Sequence, residues 1–203
     1  MPEIQTCIGN DIVDLNEKLN LNSFTKSRYL QKISFDREVE LLPENIIKTA
    51  FIWANKEAAY KAVVKCVFGL NIFAPKDFVI SNFIINTQGI FTNLTYIPAN
   101  IEVKVKTLLH EDYYHSIACT KPFAINKIKC FVEKLNHNST LTASEQVKVL
   151  LLRNLREVCE GDYNSFSIDN DKRSFPILIQ TTKNHIDISL SHDGKYIACA
   201  FPY

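Results

Sequence analysis

The sequence predicts an α+β fold, and two observations carry the prediction. A helical stretch with no Gly or Pro, Asn45 to about Phe68, precedes a series of strand-like runs separated by turn residues. After Pro122 the same order, helix and then strands, begins again. The expected architecture is a pseudo-dimer of two similar lobes, residues 1–122 and 123–203, each a helix packed on an antiparallel sheet.

The elements follow in order. Thr6 to Leu15 is a short apolar, β-branched run punctuated by Gly9 and Asn10, read as a strand that ends or bends at a site. Polar, Asn-rich sequence comes next. From Phe24 to Leu42 the apolar spacing predicts one or two helices broken near Ser34-Phe35-Asp36, with Ser34 as a cap and Arg37-Glu38 opening the next turn. Pro43 closes that region. In the long helix Ile46, Ile47, Ala50, Trp53, Ala54, Ala58, Val63 and Val64 supply apolar faces, and Gly69 ends it.

Strands are expected at Asp77–Ile85, Gly89–Tyr96, Ile101–Leu109 and Tyr113–Thr120. In the second half, Ile128–Glu133 reads as a strand, and Thr142 or Ser144 caps a helix reaching about Cys159. Strands follow at Tyr163–Ile168, Phe175–Ile179, Ile186–Leu190 and Lys195–Phe201. Both halves end alike: Ile117-Ala118-Cys119 follows the turn His110-Glu111-Asp112, and Ile197-Ala198-Cys199 follows His192-Asp193-Gly194. The shared tail supports the duplication.

Composition narrows the function. Twenty-three basic against 22 acidic side chains give a net charge of +1, so no global field favours nucleic acid or an anionic membrane, and any anion site must be local. The N-terminus lacks a signal pattern and no apolar run approaches membrane-spanning length, which predicts a cytoplasmic protein. The 6 cysteines are scattered, mostly among apolar neighbours, and read as reduced core residues.

One constellation is capable of chemistry. Asp11 stands beside Gly9, where backbone can approach a ligand, while Glu57 and Lys61 lie four apart and share a helix face. Should that face meet the Asp11 segment, two carboxylates and an ammonium converge. Such a group suits a magnesium-bound phosphate, because the hard cation takes carboxylate, phosphate and water oxygens and lysine adds a point charge. Spacing alone also admits a plainer reading, the more common one for residues of this kind. In it Glu57 and Lys61 form a surface pair worth about 0.3–0.5 kcal/mol and Asp11 is a turn residue.

Ile8-Gly9-Asn10-Asp11, with Trp53-Ala54-Asn55-Lys56-Glu57-Ala58-Ala59-Tyr60-Lys61, resembles the two-part signature of the 4'-phosphopantetheinyl transferase superfamily. Phe73-Ala74-Pro75-Lys76-Asp77-Phe78 resembles the segment after the helix in the larger, surfactin-synthetase-activating class. Ser189-Leu190-Ser191-His192-Asp193-Gly194 resembles that class's Ser-His motif. The likeness spans nearly the whole chain and is weakest from Asn126 to Ser144. In the larger class the Ser-His lobe comes first and runs into the Gly-x-Asp strand, whereas here it comes last. The chain therefore resembles a circular permutation, which predicts that Phe201 and Cys7 are spatial neighbours.

The resemblance implies transfer of the phosphopantetheine arm of coenzyme A to a serine of an apo acyl or peptidyl carrier protein, releasing 3',5'-ADP, in a monomer with coenzyme A between the lobes. It implies Mg2+ on Asp11 and Glu57, with Lys61 on phosphate and Glu57 or a metal-bound water taking the serine proton. It places His192 and Ser191 of the Ser-His motif, together with Arg153, on the coenzyme's phosphates. It also makes Lys172 and Arg173, which precede Phe175-Pro176 where relatives carry Gly-Lys-Pro, candidates for the same ligand, although solvated surface positions suit them as well. The sequence departs from the larger class at Val13, where an acid is usual. Asp14, one residue on, should point away from Asp11 by strand alternation. Two other readings stand beside this one: a catalytically silent module that binds coenzyme A or a carrier, and a metal-dependent phosphohydrolase.

Overall fold

Strict alternation along Ile8–Asp14 makes β1 a strand with two differently used faces, and the rest of the architecture is arranged around it. The computed structural model describes residues 6–20, 27–158, 166–170, 175–180 and 185–203. Gly9, Asp11 and Val13 face the long helix α4 (Lys48–Cys66), while Asn10, Ile12 and Asp14 face the second half of the chain. All seven residues of β1 are buried, so Asp11 lies in mid-strand and not at the strand end that the sequence suggests.

A short helix α1 (Leu15–Asn20) follows in the polar stretch. Asp14 caps it, its Oδ1 accepting from the backbone N–H groups of Asn16 (2.9 Å) and Glu17 (3.2 Å). Helices α2 (Ser27–Ile33) and α3 (Asp36–Leu41) divide at Ser34-Phe35 as expected. Ser34 does not cap α3, however: its hydroxyl donates back to the Leu30 carbonyl at 2.7 Å and finishes α2. Glu38 reaches back instead, its Oε2 accepting from Phe35 N at 2.7 Å.

The first sheet contains β1, β2 (Phe78–Asn86), β3 (Gly89–Tyr96), β4 (Ile101–Leu109) and β5 (Tyr113–Cys119) in the order β1-β5-β4-β3-β2, every pair antiparallel. Helix α4 lies across β1, β5 and β4 and buries Ala50, Phe51, Ala54, Ala58 and Ala62 against Val13, Val103, Val105 and Ala118. Small residues on α4 let helix and sheet approach closely. A Cβ built on Gly9 would stand 2.1 Å from the Ala58 carbonyl oxygen, so only glycine fits there.

The second half builds β6 (Ile128–Lys134), α5 (Ala143–Val158), β7 (Phe166–Asn170), β8 (Pro176–Gln180), β9 (His185–Asp187), β10 (Ser189–Asp193) and β11 (Tyr196–Pro202). Thr142 caps α5: its Oγ1 accepts from Glu145 N (3.3 Å), and Glu145 Oε2 accepts from Thr142 N (2.7 Å), so the cap is Thr142 and not Ser144. The expected strand at Tyr163–Ile168 is described only from Phe166, where β7 begins. The run expected as one strand at Ile186–Leu190 is two, β9 and β10, parted at Ile188. The sheets are β10-β11-β6 and β7-β8-β9. Across the break at Ile188 they give β6-β11-β10/β9-β8-β7, the order of β1-β5-β4-β3-β2. Helix α5 packs on this second sheet through Val147, Leu150, Leu151 and Leu155, against Ile197, Cys199 and Phe201.

The halves meet along β1. Its outward amides donate to side chains and not to a neighbouring strand's backbone: Ile8 N to Asp187 Oδ2 (2.6 Å), Asn10 N to Ser189 Oγ (2.8 Å) and Asp14 N to Asp193 Oδ2 (2.9 Å). Each pair is separated by 179 residues, so the segment through β10 runs parallel to β1 at a fixed offset. Ile8 shares an apolar cluster with Ala200, and Ile12 shares one with Tyr196 and Ala198. Cys7 and Phe201 are thus the chain neighbours of two members of one cluster, Ile8 and Ala200. Among the described residues no helix is long and apolar enough to cross a membrane.

Candidate functional site

Lys61 is the centre of the site. From α4 its Nζ lies 2.7 Å from Asp11 Oδ1 on β1 and 3.4 Å from Glu57 Oε1 one turn back along the helix. The two carboxylates and the ammonium that the sequence singled out therefore occupy one place. Gly9 allows it, because the contact of β1 with the Ala58-Ala62 turn sets how closely Asp11 approaches the Lys61 face.

Three aromatic rings hold α4 in position. Trp53 packs on Tyr29 of α2 and on Phe73, while Tyr60 packs on Phe73 and Phe78. Tyr29 and Tyr60 also flank Glu57: burial raises both phenols above their ordinary range, and the Glu57 charge adds to the effect. Beneath them lies a fully buried ion pair. Lys56 Nζ is 2.9 Å from Glu38 Oε1 and donates to the Ile33 carbonyl at 2.8 Å, while Glu38 Oε1 accepts from Ile80 N at 2.8 Å. One residue of α4 thus anchors α2, α3 and β2 while the next, Glu57, faces the site.

The electrostatics are those of a site short of positive charge. Burial pushes the Asp11 carboxyl up to about 7; Glu57 and Asp193 push in the same direction, and Lys61 opposes them. Burial disfavours the Lys61 charge, but Asp11 and Glu57 outweigh it and hold the ammonium above its usual range. Asp11 Oδ2 is buried with no hydrogen-bond partner. One ammonium faces two carboxylates, one of which keeps an unused buried oxygen, and two such carboxylates with room for phosphate and water oxygens suit a hard divalent cation.

Asp14 is excluded from that set. It faces the second half, caps α1, and accepts from Lys195 N at 2.9 Å. Gly194 (φ +51) lies so close that a Cβ there would stand 2.4 Å from Asp14 Oδ2. Val13, at the position where an acid was looked for, faces the apolar core under α4. Asp193 was not a sequence candidate. Its only sequence signal is that it follows His192, and the structure brings its charge to Asp11 from the other half of the chain.

The coenzyme candidates form a second group. Ser191 is buried and its hydroxyl donates to Asn10 Oδ1, while Asn10 Nδ2 donates to the Ser189 carbonyl at 2.5 Å. Asn10 is thus a polar tie between the halves. His192 is exposed and lies within β10, paired with Ile197, and not in a strand-end turn. Glu133 pairs with Ile197 from the other side, so Glu133, Ile197 and His192 form one row across the sheet. Arg153 of α5 is exposed and pairs with Glu133 of that row. Lys172 and Arg173 lie outside the described residues.

A hollow of about 430 Å³ opens beside Tyr60, walled by Val64, Val67, Phe68, Leu70 and, from the second half, Phe175. The turn residues His110, Glu111 and Asp112 also bring ligand-type atoms within 4.8 Å of one another, but Asp112 N donates to His110 Nδ1 and Asp112 Oδ1 accepts from Asn16, so the turn satisfies itself. No protein-family model, curated protein or solved structure matches the chain.

Proposed function

We infer that the chain is a 4'-phosphopantetheinyl transferase, which moves the phosphopantetheine arm of coenzyme A to a serine of an apo carrier protein and releases 3',5'-ADP. The observation that carries this reading is the meeting of Asp11, Glu57 and Lys61 on one face between β1 and α4, with a buried Asp11 oxygen left unpaired. Those three residues belong to the two motif segments that resemble the superfamily, and they lie on different elements.

Asp11 and Glu57 would hold Mg2+, which when bound offsets charge on the pyrophosphate. In the step itself the carrier serine oxygen forms a bond to the β-phosphorus, and the bond from that phosphorus to the oxygen of the departing 3',5'-ADP breaks. The serine proton would go to the Glu57 carboxylate or to a metal-bound water. Lys61 meets the charge gathering on phosphate oxygen as a point charge. The hollow beside Tyr60 offers apolar walls to the rest of the coenzyme, and Phe175 brings the second half to it. Arg153, against Glu133 of β6, and His192, on β10 across the same row, are the candidates for the remaining phosphates.

The strand order of the first sheet recurs in the second half when its two three-stranded sheets are read across the break at Ile188, and this supports reading the halves as related lobes of a pseudo-dimer. The apolar cluster shared by Ile8 and Ala200 supports the permutation, since it brings the last strand to the start of β1. The decisive experiment is incubation with coenzyme A, Mg2+ and a panel of apo carrier proteins, read by mass spectrometry. A gain equal to the phosphopantetheine arm on one carrier is expected. Tight coenzyme A binding with no gain on any carrier would favour a silent binding module, and phosphate released from coenzyme A alone would favour a hydrolase.

A further inference from the structure

Two cysteines far apart in sequence meet where β1 begins and α4 ends. Both gather round Thr120: Cys7 N donates to Thr120 Oγ1 at 3.0 Å, and Cys66 Sγ lies 3.9 Å from the same oxygen and donates to the Ala62 carbonyl at 3.6 Å. Both are free thiols. Cys66 is half-buried, whereas Cys7 is 3% exposed, so an oxidant from solvent meets Cys66 first. We propose that Cys7 and Cys66 are a redox-responsive pair that peroxide converts into a disulfide, bracing the start of β1 against the last turn of α4.

The chemistry of the pair agrees with that order of events. The neighbouring Cys7 thiol holds Cys66 below its ordinary range, with burial opposing and Thr120 assisting; the Cys66 thiol and burial push Cys7 up. Cys66 is thus the nucleophile and Cys7 the resolving thiol. The Cys66 thiolate attacks one peroxide oxygen, the O–O bond breaks, and Cys66 becomes a sulfenic acid while hydroxide leaves. The Cys7 sulfur then attacks the Cys66 sulfur, the S–O bond breaks, and the Cys7 proton leaves with that oxygen as water. Two thiols are oxidised by two electrons and one peroxide is reduced to water.

The position gives the bond a consequence. It closes a loop containing both Asp11 and Glu57, next to Lys65, whose Nζ donates to the Ile8 carbonyl (2.7 Å), Asp187 Oδ1 (2.7 Å) and the Ile188 carbonyl (2.8 Å). The disulfide would therefore reinforce the point where β1, α4 and the second half are tied together.

The test uses the full chain, reduced and then treated with a small excess of hydrogen peroxide. Digestion with trypsin in the absence of reductant should yield the peptide of residues 1–18 linked to that of residues 66–76. The melting temperature should rise by several degrees, and dithiothreitol should reverse both changes. Cys7→Ser and Cys66→Ser should each lose linkage and shift, and Cys130→Ser should keep them. Cys7→Ala replaces the first variant if a buried hydroxyl prevents folding. Sulfinic acid at Cys66 without linkage, linkage of Cys66 to another cysteine, or the same melting shift in Cys66→Ser would overturn the proposal.

Discussion

Lys61 Nζ touches Asp11 Oδ1 at 2.7 Å, while the second oxygen of that carboxylate is buried without a partner. The contact crosses from helix to strand, so it reports on the distance between α4 and β1 as well as on charge.

Glu57→Gln keeps the shape of the side chain and removes its charge and basicity. Transfer to an apo carrier should fall by about 100-fold or more, with the thermal melt nearly unchanged because Glu57 is partly exposed and makes no core contact. Carrier mass shifts and circular dichroism melts check the two halves of the prediction. Undiminished transfer would remove Glu57 from the chemistry.

Asp11 makes stability depend on pH in an unusual direction. Its carboxyl titrates near 3.8 when unfolded and at about 7 when folded, so across that window the folded protein holds the extra proton and stability falls as pH rises. Asp11→Asn should lack that decline in urea titrations performed with a chelator. Added Mg2+ should restore stability to the wild type near pH 7 and leave the variant unmoved.

His115 on β5 contributes the opposite slope. Its ring is fully buried, neither nitrogen has a partner, and burial, with Lys61 adding, lowers it from 6.5 to about 3. The unfolded chain takes the proton first, so the His115 contribution is complete above pH 6.5 and is lost as pH falls towards about 3. His115→Leu should gain about 1 kcal/mol at neutral pH, since it removes two unsatisfied nitrogens, and should flatten the acid side of the curve.

The Lys56 and Glu38 pair should behave as a buried charge pair. Lys56→Met leaves the Glu38 carboxylate without its counter-ion and should cost about 3–5 kcal/mol in urea unfolding. Glu38→Gln should cost less, because the amide carbonyl still accepts from one of the two backbone N–H groups, Phe35 or Ile80, that Glu38 now satisfies.

Much of this was legible because it is local. Uninterrupted apolar spacing marked α4, the choice of Thr142 or Ser144 as cap bracketed the start of α5, and the spacing of Glu57 and Lys61 put both on one face. Alternation alone separated Asp14 from Asp11. The misses have physical causes. Helix α1 is only six residues long and owes its start to Asp14, whose capping role was hidden behind a possible metal role. Ser34 was open to two hydrogen-bonding partners, and the one it uses lies four residues behind it. Asp193, the Cys7 and Cys66 meeting and the Asn10 tie to Ser189 and Ser191 depend on how the two halves associate, and no short-range pattern records that.

The row of side chains beside β1 also bears on how the chain behaves in a crowded solution. An outermost strand with bare amides is a template on which other copies stack into aggregates. Here Asp187, Ser189 and Asp193 occupy the amides of Ile8, Asn10 and Asp14, and two of the three bring charge. The chain's own second half thus fills the border of β1, and no bare amide edge is left there for a second copy to pair with.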